Sequence, residues 1–294
     1  MLHAGAQYVN FYGKYFSMSK TTVVDSPAKN MAPQTEGRVD NGFPNSEFVQ
    51  SLQRGLAVIL AFDQAHPTMT VSEMAAAVNM TRAAARRFLL TLQALGYLES
   101  GDGRFRLKPQ TLDLGYAYLI TQPWWQNGQR TVEKLSAQLN QACGIGVFDR
   151  DAVTYVAYAP ALHLPSLSRT VGTRLPINCT ALGRVLLTGL KNTELQTVLK
   201  RIAPTQMTPH TETDARKLGT LIKHACVDGY ALIDQEMEIG LQAISVPLRD
   251  PSGRLVAAIG LSIRDPFMKH GVLVKNFLKP LLAASAEVTD SMPK

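Results

Sequence analysis

Arg82, Arg86 and Arg87 stand within one short stretch, preceded by Thr81. On a helix begun by Thr81, positions 82 and 86 stack one turn apart, with Ala83 beside them and Arg87 on the flank. A planar guanidinium there can hold a guanine edge through two hydrogen bonds or grip a phosphate. A second basic group follows the turn Gly101-Asp102-Gly103, where Arg104, Arg106 and Lys108 alternate with Phe105 and Leu107. Alternation in a strand sends the apolar pair inward and Arg104 and Arg106 outward, where they suit backbone or minor-groove contact. Thr81, Arg82, Ala83, Arg86, Arg87, Arg104 and Arg106 are therefore the candidate nucleic-acid contacts.

The second half of the chain holds polar groups of another kind. Pro176-Ile177-Asn178-Cys179-Thr180 precedes an apolar helix, so Asn178, Cys179 and Thr180 mark a helix start whose free N–H groups can seat an anion. The same residues also read as a plain helix cap. Asp234 and Glu236, two apart at a strand end, are expected on one side, either accepting from ligand hydroxyls or simply solvated. Ser245 and Ser262 on interior strands are candidate pocket groups or satisfied core hydroxyls. His163 and His210 lie in proline-flanked stretches, and no Gly-x-Ser-x-Gly elbow, P-loop or Gly-x-Gly-x-x-Gly accompanies them or Ser245. No catalytic residue is expected. Cys143, Cys179 and Cys226 are far apart, without a Cys-x-x-Cys pair, which argues against zinc and disulfides. No metal and no cofactor is expected.

The elements that must hold the arginines are readable from pattern. Ser46 to Asp63 is expected as a first helix, burying Leu52, Leu56, Ile59 and Leu60 at three- and four-residue spacing. Thr70 with Glu73 forms a capping-box signal for a second helix. Val78-Asn79-Met80 makes a turn, and Thr81 caps a third helix running to Leu95, with Ala84, Phe88, Leu92 and Leu95 inward and Gly96 as its stop. A hairpin around residues 97–107 completes a winged helix-turn-helix over 46–109. Residues 110–122 form a connecting helix broken by Pro123.

Beyond it, the expected elements are a hairpin over Gly144–Phe148 and Val153–Ala157, helices from Cys179 to Leu190 and Asp214 to Asp228, and strands Tyr230–Asp234, Ala243–Leu248 and Leu255–Ile263. A helix from Val272 to Asp290 closes the chain. Antiparallel strands with helices packed to one side make an α+β fold over 123–294.

Composition sets the class. The chain has 294 residues and a formal charge of +7, enough for two modest domains. The segments 1–45, 46–120 and 121–294 carry +1, +1 and +5, so the presumed reader is nearly neutral overall. Yet six basic residues within 81–108 face only Glu99 and Asp102, and that local concentration is what phosphate binding requires. No apolar run approaches the roughly 20 residues a membrane helix needs. A cytoplasmic location and no membrane partner are expected. Residues 1–45 are expected to be a flexible tail, with Met18 and Met31 as alternative starts.

Three motifs in order carry a family resemblance. Ser51-Leu52-Gln53-Arg54-Gly55-Leu56-Ala57-Val58-Ile59, followed by the winged helix, resembles the start of IclR-type transcriptional regulators. Leu175 through Arg184 is similar to that family's effector-domain signature, as is Gly229-Tyr230-Ala231 continuing through 234–241 to Ser245-Val246-Pro247. The likeness spans roughly 46–290. Val171-Gly172-Thr173-Arg174-Leu175-Pro176 with Asp234-Gln235-Glu236 is similar to the subgroup governing aromatic-acid breakdown, protocatechuate and p-hydroxybenzoate among them. The chain departs from that subgroup at Gln242 and Ala243, where arginine and serine are usual.

The resemblance implies a GAF-like α/β effector-binding domain behind the winged helix-turn-helix. It implies a homodimer or dimer of dimers on double-stranded operator DNA, and a small effector, an aromatic carboxylate, acting through the connecting helix. It also gathers Asn178, Cys179, Thr180, Asp234, Glu236, Gln242, Ser245 and Ser262 around one pocket. Two rivals stay open: a repressor sensing an aliphatic keto- or sugar acid, and a metabolite sensor whose winged helix contacts protein.

Overall fold

The structure, a computed structural model, describes residues 47–161, 169–202, 204 and 206–293. The expected tail and its alternative starts, Ser46 and His163 lie outside them. The chain divides between Thr111 and Leu112 into two compact units, so the connecting helix belongs with the second.

In the first unit, helix α1 spans Gln50–Leu60 and is shorter than its expected range. Its apolar stripe is also turned: Val58 is buried, whereas Leu52 and Leu56 are 63% and 42% exposed. The contact edge runs through Gly55, close to the Phe88 ring, and on to Val58 and Ala61. Small residues let the helices approach closely, and the larger leucines are left outside.

Strand β1 (Met69–Thr70) leads into α2 (Val71–Ala77). The capping box is present: the Glu73 N–H donates to Thr70 Oγ1 at 3.2 Å, and the Thr70 N–H donates to Glu73 Oε2 at 2.7 Å. Asn79, at φ 48°, bends the chain toward α3 (Arg82–Ala94), capped by Thr81. The inner face of α3 is Ala85, Leu89 and Leu92: Leu92 is as expected, Ala85 and Leu89 are buried where Ala84 and Phe88 were expected, Phe88 packs at the edge of the core, and Leu95 is exposed. An alanine run at 83–85 leaves the apolar stripe without a unique phase, and packing decides it.

Strands β2 (Leu98–Gly101) and β3 (Arg104–Leu107) pair antiparallel, with β1 on the other edge of β3. Asp102 and Gly103 both take positive φ, as a two-residue hairpin turn of matching twist requires.

The second unit begins with α4 (Leu112–Ile120) and α5 (Trp125–Leu139). A six-stranded antiparallel sheet follows, in the order β6 (Arg174–Pro176), β5 (Ala152–Ala159), β4 (Ala142–Asp149), β9 (Leu255–Ile263), β8 (Gln242–Arg249), β7 (Ala231–Asp234). Helices cover both faces, not one. On the first, α5 and α9 (His270–Asp290) bury Val132, Leu135, Phe277 and Leu281 against Ile145, Val246 and Ile259. On the second, α6 (Ala181–Leu187), α7 (Asn192–Arg201) and α8 (Ala215–Asp228) bury Leu182, Leu199, Leu218 and Ile222 against Val153 and Tyr155. Strands buried on both sides explain the correction, because such strands cannot show clean polar alternation. Helices α5 and α7 were not anticipated.

Candidate functional site: a basic helix face and a small-floored cavity

The outer face of α3 presents Arg82, Ala83, Arg86 and Arg87, all exposed, just after the cap in which Thr81 Oγ1 accepts from the Ala84 N–H. Among the described residues none of these arginines forms an ion pair, so their donors point to solvent. The wing is different. Arg104 donates to the Thr68 hydroxyl and carbonyl at 2.9 Å each, and to Glu73 Oε2 at 2.8 Å. Arg106 pairs with Glu99 across the hairpin. Arg104 lies on the outward face of β3, opposite Phe105, with its side chain 42% exposed, and its guanidinium also ties the wing to the start of α2. Glu73, held by the Thr70 N–H and then by Arg104, keeps its carboxyl below the usual range.

The cavity is a small cleft on the second face of the sheet, with about 360 Å³ of space among its lining residues when the open solvent at its mouth is counted. Its floor comes from two adjacent strands. Register pairs Ala243 with Ser262 and Ser245 with Gly260, so alternate residues of β8 and β9 turn the same way. All four are small, which makes the floor flat. Ser245 Oγ lies directly over Gly260, where an added Cβ would meet it at 2.0 Å.

Tyr155 and Arg169 stand above this floor. A bulge opposite Ile145 and Gly146 interrupts the alternation of β5 and puts Tyr155 and Tyr158 on one face, ring centroids 5.2 Å apart. The Tyr155 ring lies over Gly144, where a Cβ would come within 2.5 Å of it. Burial pushes the Tyr155 phenol up to about 12, although Arg169 acts the other way; the group is a neutral donor at physiological pH. The Arg169 side chain is only 9% exposed. Its Nη2 is 3.9 Å from both Met237 Sδ and Glu238 Oε2, too far for a strong hydrogen bond.

Of the sequence-predicted pocket residues, Thr180, Ser245 and Ser262 line the cavity and five do not. The Thr180 hydroxyl is already occupied, donating to the Pro176 carbonyl at 2.9 Å and accepting from the Gly183 N–H at 3.2 Å. Asn178 and Cys179 are buried beside it, and burial, with Glu236 adding, pushes the Cys179 thiol up to about 12. Asp234 and Glu236 do not share a side, because Gln235 between them takes φ 56° and breaks the strand. Asp234 accepts from Gln242 Nε2 at 3.0 Å and stands 3.1 Å from His270 Nε2. Burial there favours the neutral acid, but the hydrogen bonds of Gln242, His270 and Gln235 outweigh it and hold the carboxyl low. Glu236 forms a buried ion pair with Arg184 at 2.6 Å and accepts from the Glu212 N–H. Gln242 Nε2 also donates to the Met268 carbonyl. These groups brace β7, β8 and the loops around the cavity instead of lining it.

Arg169 and Tyr155 were missed. Arg169 belongs to no helix or strand and carries no pattern signal; Tyr155 faces the cavity only because of the bulge.

A profile for the C-terminal domain of the bacterial transcriptional regulator IclR matches residues 117–290, and one for the IclR helix-turn-helix domain matches residues 51–102. The chain is 36% identical to the Pca regulon regulatory protein of Pseudomonas putida, over 90% of this chain and 89% of that protein. It is 29% identical to the p-hydroxybenzoate hydroxylase transcriptional activator of Acinetobacter baylyi, over 82% and 90%. A solved structure of a putative transcriptional regulator from Rhodococcus sp. RHA1 superposes with a TM-score of 0.75 at 36% identity, covering 83% of this chain and 98% of that one.

Proposed function

The chain belongs to the IclR family of bacterial transcriptional regulators, and from that premise we propose that it reads operator DNA through α3 and answers to an aromatic carboxylate held at Arg169. The observation that carries the effector reading is the largely enclosed Arg169 side chain beside Tyr155, above a floor of Ala243, Ser245, Gly260 and Ser262. A guanidinium largely removed from water favours an anionic partner. A flat floor of small residues favours a planar ring over a puckered or branched acid. Ser245 and Ser262 then offer hydroxyls to ring substituents. The names of the two curated relatives support the same class.

On α3 the contacts are Arg82, Arg86 and Arg87, flanked by Thr81 and Ala83, with Arg106 at the wing. The protein acts as a homodimer or dimer of dimers in the cytoplasm, where its DNA is, and performs no catalysis. An assembly is supported by Leu112, Leu114, Tyr116, Tyr118 and Ile120, all exposed on α4.

A reporter driven by the protein's own promoter tests this reading. Output is expected to change with p-hydroxybenzoate or protocatechuate, and Arg169→Gln is expected to remove the response. A response confined to an aliphatic acid such as glyoxylate would replace the aromatic reading.

A further inference from the structure

Arg169 is not left to the cavity alone. Among the described residues the carboxylate in ion-pairing range of it is Glu238, on the loop between β7 and β8, at 3.9 Å from Oε2. The other oxygen, Oε1, accepts from Arg264 Nη1 at 2.9 Å. Arg264 follows β9, the strand that supplies Gly260 and Ser262. One carboxylate thus stands between two guanidiniums, bonded to the outer and reaching toward the inner.

We propose that Glu238 is a specificity-determining residue of the cavity: a built-in carboxylate that competes with the effector's carboxylate for Arg169, restrained by Arg264. The inference rests on the reading that Arg169 holds the effector. Both carboxylates seek the same donors, and a guanidinium held in one bidentate, charge-assisted pair cannot fully serve a second. Arg264 keeps Glu238 outside hydrogen-bonding distance of Arg169, so Glu238 does not occupy the guanidinium, whose neighbours are the Met237 sulfur and the neutral Tyr155 phenol. The competition also sets the charge class. With Glu238 near Arg169 the cavity resists a second negative charge, so a monocarboxylate is preferred to a dicarboxylate.

The geometry predicts opposite signs for two substitutions, read by calorimetry of the full chain with p-hydroxybenzoate. Glu238→Gln removes the competitor, and binding should tighten by about fivefold, the scale of a partly exposed charge pair. Arg264→Gln frees Glu238 to engage Arg169, and binding should weaken by a similar factor. In the Glu238→Gln background the Arg264 substitution should have no further effect, because its action passes through Glu238. Terephthalate should gain more from Glu238→Gln than p-hydroxybenzoate does.

Unchanged or weaker binding in Glu238→Gln would overturn the proposal, as would an Arg264 effect that persists in the double variant. Arg169→Gln separates the two levels. If it binds p-hydroxybenzoate like the parent, the effector reading itself fails. If it loses binding while Glu238→Gln does not tighten it, only the competitor fails.

Discussion

Gly260 is the residue at which the least added matter should have the greatest effect on the cavity. A Cβ there would stand 2.0 Å from Ser245 Oγ and 2.8 Å from the Ile244 carbonyl oxygen. A side-chain hydroxyl can rotate away, but a strand carbonyl cannot. Gly260→Ala is expected to lose p-hydroxybenzoate binding by at least about tenfold while costing about 1–3 kcal/mol of stability; calorimetry and thermal melting read the two. Full binding in the variant would mean that the floor is not where the ligand lies. The cysteines give a second test at this scale. Cys143 and Cys179 are buried, each thiol pushed up to about 12 by burial, whereas Cys226 is exposed. A thiol reagent at mildly alkaline pH should modify one cysteine quickly and the other two only on unfolding, and Cys226→Ser should abolish the fast phase. Three equal rates would contradict the burial.

The helix-turn-helix was legible because its signals are local. Thr70, Glu73, Asn79 and Thr81 act within a few residues of themselves, so their caps and turn can be read without the rest of the fold. What escaped depends on partners distant in sequence. The bonds of outward-facing Arg104 to Thr68 and Glu73 reach back more than 30 residues, and Arg184 and Glu236 are 52 residues apart. Helix α5, with the sequence WQNGQRTVEKLSAQL, is polar enough to hide among loops. The two arginine groups should accordingly behave differently. Arg86→Ala should weaken promoter binding and lower the salt slope by about 1, with stability unchanged. Arg104→Ala should instead lower the stability of the winged unit by about 1 kcal/mol, since it unties Thr68 and Glu73. Fluorescence anisotropy across a salt series, with melting curves, separates them; an Arg104 variant that melted like the parent and lost a phosphate-like salt slope would restore it as a DNA contact.

For the whole molecule, two units with separate cores let one chain join a DNA reader to a ligand cavity. Effector control then requires a state-dependent difference that both sites sense, and the proposed assembly of two readers would supply one. Light scattering on the full chain should give a mass at least twice its 32.1 kDa; a monomer at micromolar concentration would leave the exposed apolar side chains of α4 without a role. The central claim is narrower: Arg169, above a floor of small residues, holds an aromatic carboxylate. Calorimetric titration of the full chain with p-hydroxybenzoate, beside Arg169→Gln, tests it most directly. Saturable binding near one ligand per chain, lost in the variant, is the predicted result; absence of binding to any aromatic acid, or equal binding by both proteins, would contradict it.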